Sequence, residues 1–431
     1  MDLDKLNNIF WKCKKLSLLY IGLMVTFLAT MSLSYAIPNQ SIINHTRESI
    51  QLLESEGLYP KVMSNYYSNQ LDNFTDTWML SIAIGGDNSH PIKSALENSF
   101  KYDKTAEDKI DNLAKTIDRN STDRGSYSRY WHGYLTILRP LLTKFNYEEI
   151  RYLNTFMMMS VFMSVCYFIK RELGTRYSLI FLITMVTIRI LIAPMSLQFS
   201  NMFYVTFLSM IVVLIYHKKM KKDDLSIYTF FAIGAVTSFM DLLTTPVLSL
   251  GIPLVTYILL EGRESKFIEN LIYTIKLSIM WTLGYGITWA SKWMLASLVL
   301  RKNIVKESLS QILVRTSSTA ENTILNKQEV IQKNSDLIFN DFTLKIFLVI
   351  LILWLILLVL YRKNKIVNML PILTVSLYPF IWYSVLKNHS YMHFWFTYRS
   401  LGVTVFTLLT FMAYSIDTSK IKNAFTKYAK R

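Results

Sequence analysis

Apolar residues along this chain gather in blocks of about 17–25, the length of helix that crosses a hydrocarbon layer of roughly 30 Å. About ten such blocks are legible, near 16–36, 153–169, 177–194, 199–216, 225–245, 246–260, 271–295, 343–361, 366–386 and 395–415. Their length and scarcity of charge predict transmembrane helices. The expected fold class is an all-α polytopic membrane protein of about ten spans, forming a single membrane domain over residues 1–431. No internal repeat or low-complexity tract divides it.

Two polar connections are long, at 37–150 and 301–342. In the first, Ile50, Leu52, Leu53 and Leu58 among glutamates predict a helix. A turn at Tyr59-Pro60 follows, then a helical apolar stripe from Leu71 to Ile84. Residues 101–124 are polar and charged, the pattern of a solvated helix or loop. From Tyr127 the run YSRYWHGYLTILRPLL is too short to span and suits a re-entrant or interfacial helix.

Charge orients the chain. Lys5, Lys12, Lys14 and Lys15 precede the first block. Alternate loops carry Lys170, Arg171 and Arg176, then Lys218, Lys219, Lys221 and Lys222, then Arg263 and Lys266, then Arg362, Lys363 and Lys365. The tail ends with Lys420, Lys422, Lys427, Lys430 and Arg431, whereas Pro194–Gln198 and Thr244–Pro246 carry no basic residue. The positive-inside rule then predicts a multi-pass plasma-membrane protein with both termini cytoplasmic and the two long connections outside. The net charge of +16 is accounted for by these loops, so no nucleic-acid partner is expected; the bilayer is. Ser34-Tyr35-Ala36 has the small residues of a cleavage site, but the block before it is longer than a signal core and reads as an uncleaved anchor. Cys13 and Cys166 form neither an expected disulfide nor a metal motif.

Five charges interrupt apolar blocks: Arg189, Asp241, Lys276, Lys292 and Arg399. Lys276 lies near the cytoplasmic end and can snorkel. The other four fall in the outer third of their spans, where three cations and one carboxylate would suit an anionic group such as a lipid-linked phosphate, or would pair and snorkel. Five of the six histidines, His45, His90, His132, His389 and His393, fall on the outer side. His389 and His393, spaced i, i+4, share a helix face as a substrate pocket, a metal pair if a carboxylate completes it, or interfacial anchors. Asp72 and Asp76 share the same spacing in QLDNFTDTWML, where one carboxylate can act as a base and the other can orient the hydroxyl or hold a cation. Asp72 also reads as a helix N-cap. Glu54 and Glu56 form a more solvated rival pair.

One span, a large acidic outer loop, many further spans and a second polar loop together resemble the GT-C superfamily of integral-membrane glycosyltransferases. The segments that carry the resemblance are DNFTD (72–76), SRYWHGY (128–134), DLLTTP (241–246), GYGITWASKW (284–293) and HSYMHFWFTYR (389–399). It implies a GT-C-like fold and a polyprenyl-phosphate-sugar donor, with transfer to a cell-envelope glycan acceptor. It also implies Asp72 or Asp76 as catalytic base or metal ligand; there is no adjacent D-x-D pair, and a divalent cation is not required. Arg129, Arg189, Lys292 and Arg399 are then cations for the leaving phosphate. Tyr130, His132, Asp241, His389 and His393 complete the expected substrate site. The competing readings are a flippase or transporter of a lipid-linked saccharide, and a polysaccharide polymerase.

Overall fold

The structure, a computed structural model, describes residues 3–320 and 323–429. Lys430 and Arg431 of the basic tail lie outside the described residues. The helices are α1 (Leu3–Ala36), α2 (Asn39–Glu48), α3 (Ile50–Glu56), α4 (Asn73–Gly85), α5 (Pro91–Glu97), α6 (Lys109–Asp118) and α7 (Leu135–Leu142). The bundle continues with α8 (Tyr147–Leu173), α9 (Thr175–Thr187), α10 (Leu197–Lys222), α11 (Ser226–Met240), α12 (Val247–Glu261) and α13 (Phe267–Leu300). After these come α14 (Ile304–Thr316), α15 (Lys327–Ser335), α16 (Asp341–Tyr361), α17 (Tyr378–Val385), α18 (Lys387–Met392), α19 (Phe394–Thr397), α20 (Gly402–Ser415) and α21 (Thr418–Ala429). Among the described residues, two short antiparallel two-stranded sheets interrupt this all-α plan: β1 (Ser99–Lys101) with β2 (Arg124–Ser126), and β3 (Thr319–Ala320) with β4 (Thr323–Ile324).

Among the described residues, six helical stretches are long and apolar enough to cross a membrane: Ile9–Ala36, Tyr147–Leu173, Leu197–Lys222, Asp341–Tyr361, Ile366–Val385 and Phe394–Ser415. The helical, membrane-type architecture agrees with expectation, while the six are fewer than the expected ten or so spans. The apolar helices α9, α11 and α12 have only 13, 15 and 15 residues. At 1.5 Å per residue each reaches roughly 20–23 Å, short of the hydrocarbon thickness. Burial explains why a short helix suffices. Every residue of α12 from Val247 to Leu259 is buried, so it meets protein rather than lipid along its length. α13 has the length but carries too many Trp, Tyr, Gly and Lys residues to join the six. Where α11 crosses α13, a Cβ on Gly234 would strike the Trp281 carbonyl, and one on Gly284 the Phe231 carbonyl. Small residues on both helices thus permit the close approach.

The segment 37–150 is not a separate layer. Its core joins Ile42, Leu53, Leu80, Leu113, Trp131 and Leu138 to Phe27 and Met31 of α1, Leu197 of α10 and Phe239 of α11. Ser34 Oγ donates to the Leu135 carbonyl at 2.8 Å, and α1 runs unbroken through Ser34-Tyr35-Ala36. Two expectations here are corrected. Residues 101–124 contain β1's last residue, the β2 edge and α6, whose Ile110, Leu113 and Ile117 are buried as an amphipathic stripe, so the stretch is not merely solvated. The run from Tyr127 is helical only over α7, with 127–134 irregular.

At the opposite end the basic loops gather. Asp224 takes ion pairs from Lys12 (2.6 Å) and Lys276 (3.6 Å), and Glu261 pairs with His217 and with Lys221 (3.4 Å). All the interrupting charges except Lys276 lie at the end that carries 37–150, as the next section details.

Candidate functional site

The two aspartates of DNFTD have different environments. Asp72 caps α4: one carboxylate oxygen accepts from the Thr75 N–H at 3.0 Å and the other from the Thr75 hydroxyl at 2.9 Å. Burial lifts its pKa to about 7 against the pull of the Thr75 N–H, and the charge of Asp76 adds to the rise. Asp76, one helical turn on, points at the N-terminus of α10. It accepts from Tyr147 Oη (2.5 Å), Ser196 Oγ (3.1 Å), Leu197 N (2.9 Å) and Gln198 N (3.0 Å). Orphan helix N–H groups and the helix dipole make this a favourable seat for a carboxylate. The Tyr147 hydroxyl accepts in turn from Arg151 Nη2 (2.9 Å), which also donates to Asn73 Oδ1 (2.8 Å), and Arg151 Nη1 reaches both Glu56 oxygens at 2.8 and 2.9 Å. Four donors fill the Asp76 carboxylate, leaving it no room to take a proton from a substrate hydroxyl. It locks α4 onto α10. Glu56 is likewise held by Arg151 rather than solvated.

Arg399 lies one residue-contact from that lock. Its guanidinium sits 4.3 Å over the ring of Phe199, in the first turn of α10, and donates to the carbonyls of Trp395 (3.1 Å) and Ser68 (3.5 Å). It is fully buried, and among the described residues no carboxylate pairs with it. Arg189, exposed and with φ of 61°, adds its charge beside Tyr398 and Arg399 and makes no ion pair among the described residues. Two cations without a counter-ion make this an anion-attracting place.

The remaining expected residues form a second group around Asp241, at the end of α11. Asp241 accepts from Thr244 N (2.8 Å) and Tyr285 Oη (3.1 Å). Tyr130 packs 5.8 Å from Trp289, and burial pushes its phenol up to about 12 while Arg315 pulls it down. His389 accepts at Nδ1 from Arg315 Nη1 (2.6 Å), and its Nε2 meets the Leu243 carbonyl at 2.8 Å, which assigns the proton to Nε2. His393 is the bridge between the groups. Its ring lies 4.8 Å from His389 and 5.4 Å from Trp395, and Trp395 lies 5.4 Å from Tyr59, whose phenol burial and the Asp72 charge lift to about 12. Burial and the charge of Arg315 hold His393 down near 4, so it is neutral at pH 7.

Three expected ligands are otherwise engaged. Lys292 Nζ donates to the carbonyls of Ala95 (2.8 Å) and Leu96 (2.9 Å), closing the C-terminal end of α5. Arg129 pairs with Glu307 at 2.5 Å, and its carbonyl accepts from both Trp289 and Trp293. His132 is buried between Tyr134 Oη (2.9 Å) and the Tyr127 carbonyl (3.0 Å), and burial, then Lys292, depresses it to about 3. These side chains shape the wall and are not free to meet a phosphate. The His389–His393 pair does share a face, yet no group of three His, Cys, Asp or Glu able to hold a metal ion occurs among the described residues.

Sequence reasoning missed Arg315, Tyr59 and Arg139. Arg315 closes an amphipathic helix, α14, and that position was its only signal. Arg139 is buried and donates to the carbonyls of Ser34 (3.0 Å), Ile37 (2.9 Å) and Ala83 and to Asn39 Oδ1 (2.9 Å), stapling α1, α2 and α4 to α7.

Orphan polar atoms concentrate between residues 390 and 400. Ser390 Oγ, His393 Nδ1, Trp395 Nε1, Arg399 Nε and Ser400 Oγ are buried with no hydrogen-bond partner among the described residues, as is Arg315 Nε. Each such group costs about 1–3 kcal/mol when left unmet. His132, Arg189 and Leu243 have φ of 57°, 61° and 63°, a region non-glycine residues seldom occupy, and six further non-glycine residues share it elsewhere among the described residues. An apolar cavity of about 720 Å³ lies to one side, between α7, α8, α10 and α11. Leu153, Met157, Leu208 and Val236 line it, and among the described residues it meets the Asp76 network at Leu197 and α4 at Met79. Set against family models, curated proteins and solved structures, the chain matches none of them.

Proposed function

We propose that the protein is a membrane glycosyltransferase of GT-C type, which moves a sugar from a polyprenyl-phosphate donor to a cell-envelope glycan acceptor. The observation that carries this reading is the buried Arg399, without a counter-ion among the described residues, with Arg189 beside it and orphan donors around it; a carboxyl group poised near neutrality, Asp72, is linked to it through Tyr59 and Trp395. In this proposal the end carrying 37–150 faces outward and the basic end lies in the cytoplasm.

The chemistry follows from those groups. The acceptor hydroxyl gives its proton to the Asp72 carboxylate as its oxygen attacks the anomeric carbon. The bond from that carbon to the phosphate oxygen breaks, and its electron pair leaves with the polyprenyl phosphate. Arg399 and Arg189 stabilise the developing charge, so the leaving group needs no general acid. Trp395 and Tyr59 offer rings against which a sugar face can pack. Displacement from the opposite face inverts the anomeric centre. The apolar cavity supports a lipid substrate, and that same cavity favours a second reading, carriage of a lipid-linked saccharide across the bilayer.

Purified protein in vesicles, supplied with polyprenyl-phosphate sugars and envelope glycan, separates the two. Transfer is expected to fall about 10²–10⁴-fold in Asp72→Asn. It should also fall in Arg399→Gln, and Arg399→Lys should restore little, because a point charge cannot replace a planar fork. Full transfer by Asp72→Asn overturns the enzyme assignment. Movement of the lipid-linked saccharide without transfer, indifferent to Asp72, would establish carriage instead.

A further inference from the structure

The basic end of the bundle contains a second group of cations that the proposed chemistry does not use. Arg176 comes from the first turn of α9, Arg263 from the segment after α12, and Lys363 from the turn after α16. All three are half-buried, whereas the basic side chains Lys218, Lys219 and Lys222 at the end of α10 are exposed. Arg176 lies 4.7 Å over the ring of Tyr177 and donates to the Ala413 carbonyl at 3.2 Å. Lys363 lies 4.2 Å over the ring of Tyr414, and its backbone N–H donates to the Ser415 carbonyl at 2.9 Å. Arg263 Nε donates to the Leu259 carbonyl at 2.8 Å, while its Nη2 is buried without a hydrogen-bond partner among the described residues.

Arg176 and Lys363 reach adjacent residues of α20, Ala413 and Tyr414, and Arg263 lies within electrostatic range of Tyr414 and of Lys363. Lys363 is held below the ordinary lysine value by burial first and then by Arg263 and Arg176, with Asp417 and Glu264 opposing. Neither of those acids comes within ion-pair distance of the three cations among the described residues; Asp417 instead accepts from Ser419. The Tyr177 hydroxyl, 1% exposed, lies beside the Arg176 guanidinium without a well-formed hydrogen bond. α9 begins at Gly174, which offers no side-chain cap, so the positive end of its dipole adds to the same corner. Bringing like charges together in partial burial is unfavourable unless an anion joins them.

We propose that Arg176, Arg263 and Lys363 form a binding site for a phosphate group at the basic end of the bundle, distinct from the Arg399 site. The position, where α9 and α20 leave the apolar zone, fits the headgroup of an anionic phospholipid, and basic pockets between helices at this level bind such headgroups. A free phosphate has the same chemistry, so the test must tell them apart.

The full-length protein in neutral detergent is titrated with phosphatidylglycerol, with phosphatidylcholine and with inorganic phosphate, and bound lipid is counted by native mass spectrometry. Wild type should retain phosphatidylglycerol over phosphatidylcholine. Arg263→Gln should weaken that retention about 5-fold, and the triple variant Arg176→Gln/Arg263→Gln/Lys363→Gln about 100-fold, since each cation contributes about 1 kcal/mol. A control with the same charge removed, Lys218→Gln/Lys219→Gln/Lys222→Gln, should stay within twofold of wild type. Inorganic phosphate binding with the same variant sensitivity, and displacing the lipid, upholds the site with a soluble anion as its ligand. Equal losses in the triple variant and its control, or full retention in Arg263→Gln, overturn the proposal. Arg263→Gln removes only one carbonyl contact, so it keeps the test open should the triple variant fail to fold.

Discussion

Asp72→Asn tests the environment of the proposed base independently of any substrate. The carboxyl is lifted from 3.8 to about 7, chiefly by burial. The folded protein therefore holds a proton, between those two pH values, that the unfolded chain has already released. Stability must fall as pH rises through that window, because the folded state binds more protons than the unfolded one. The whole interval corresponds to roughly 4 kcal/mol, reached by pH 7 and constant above it. Asparagine has no such proton to lose, yet it keeps an oxygen for the Thr75 N–H and caps a helix about as well as aspartate. The variant should match wild type near pH 4 and exceed it by up to roughly 4 kcal/mol at pH 8. Unfolding by denaturant in detergent micelles, run on both proteins at each pH, measures the difference, and titrating groups distant from Asp72 cancel between them. A difference that stays flat from pH 4 to 8 refutes the buried-carboxyl reasoning. The two effects also separate cleanly: the variant should be the sturdier protein and the inactive one.

Further outcomes are expected elsewhere. Arg139→Met leaves three carbonyls and an amide oxygen without their donor and should destabilise by about 3–5 kcal/mol in the same assay. Gly284→Leu, whose first side-chain carbon meets the Phe231 carbonyl, should lose about 3 kcal/mol or more of stability or fail to accumulate. Gly286→Leu, where nothing lies within 4 Å, should stay within about 1 kcal/mol of wild type. Asp76→Asn turns an acceptor-only group into one with an NH₂ facing backbone N–H donors, so α10 should lose protection in hydrogen exchange at Leu197 and Gln198 before any other span does.

Helix positions were the most legible part of the chain. Every apolar block proved helical along most of its length, because twenty or so uncharged residues leave the backbone few alternatives in lipid. Length was less legible: α9, α11 and α12 read as full spans yet stop at 13, 15 and 15 residues, and neighbours bury α12 and most of α11 but leave one side of α9 exposed. The stripe from Leu71 to Ile84 became α4, and Asp72 became its cap. The partner of Asp76 could not be read, because it is a helix terminus about 120 residues away in the chain rather than a side chain. Lys292 and Arg139 were illegible for the same reason: their acceptors are main-chain carbonyls, which leave no mark in sequence. Ile110, Leu113 and Ile117, by contrast, are spaced for one face of a helix, and the charges around them hid it.

The shared core of segment 37–150 and the bundle has a practical meaning. Cut away from α1, α8, α10 and α11, that segment would present Trp131, which packs on Phe27 and Phe239, to water, and Arg139 would lose the carbonyl of Ser34. A soluble fragment would thus be a different object, without the shape that it has when attached. Whatever this part of the chain recognises, it must be studied in the company of the helices that complete it.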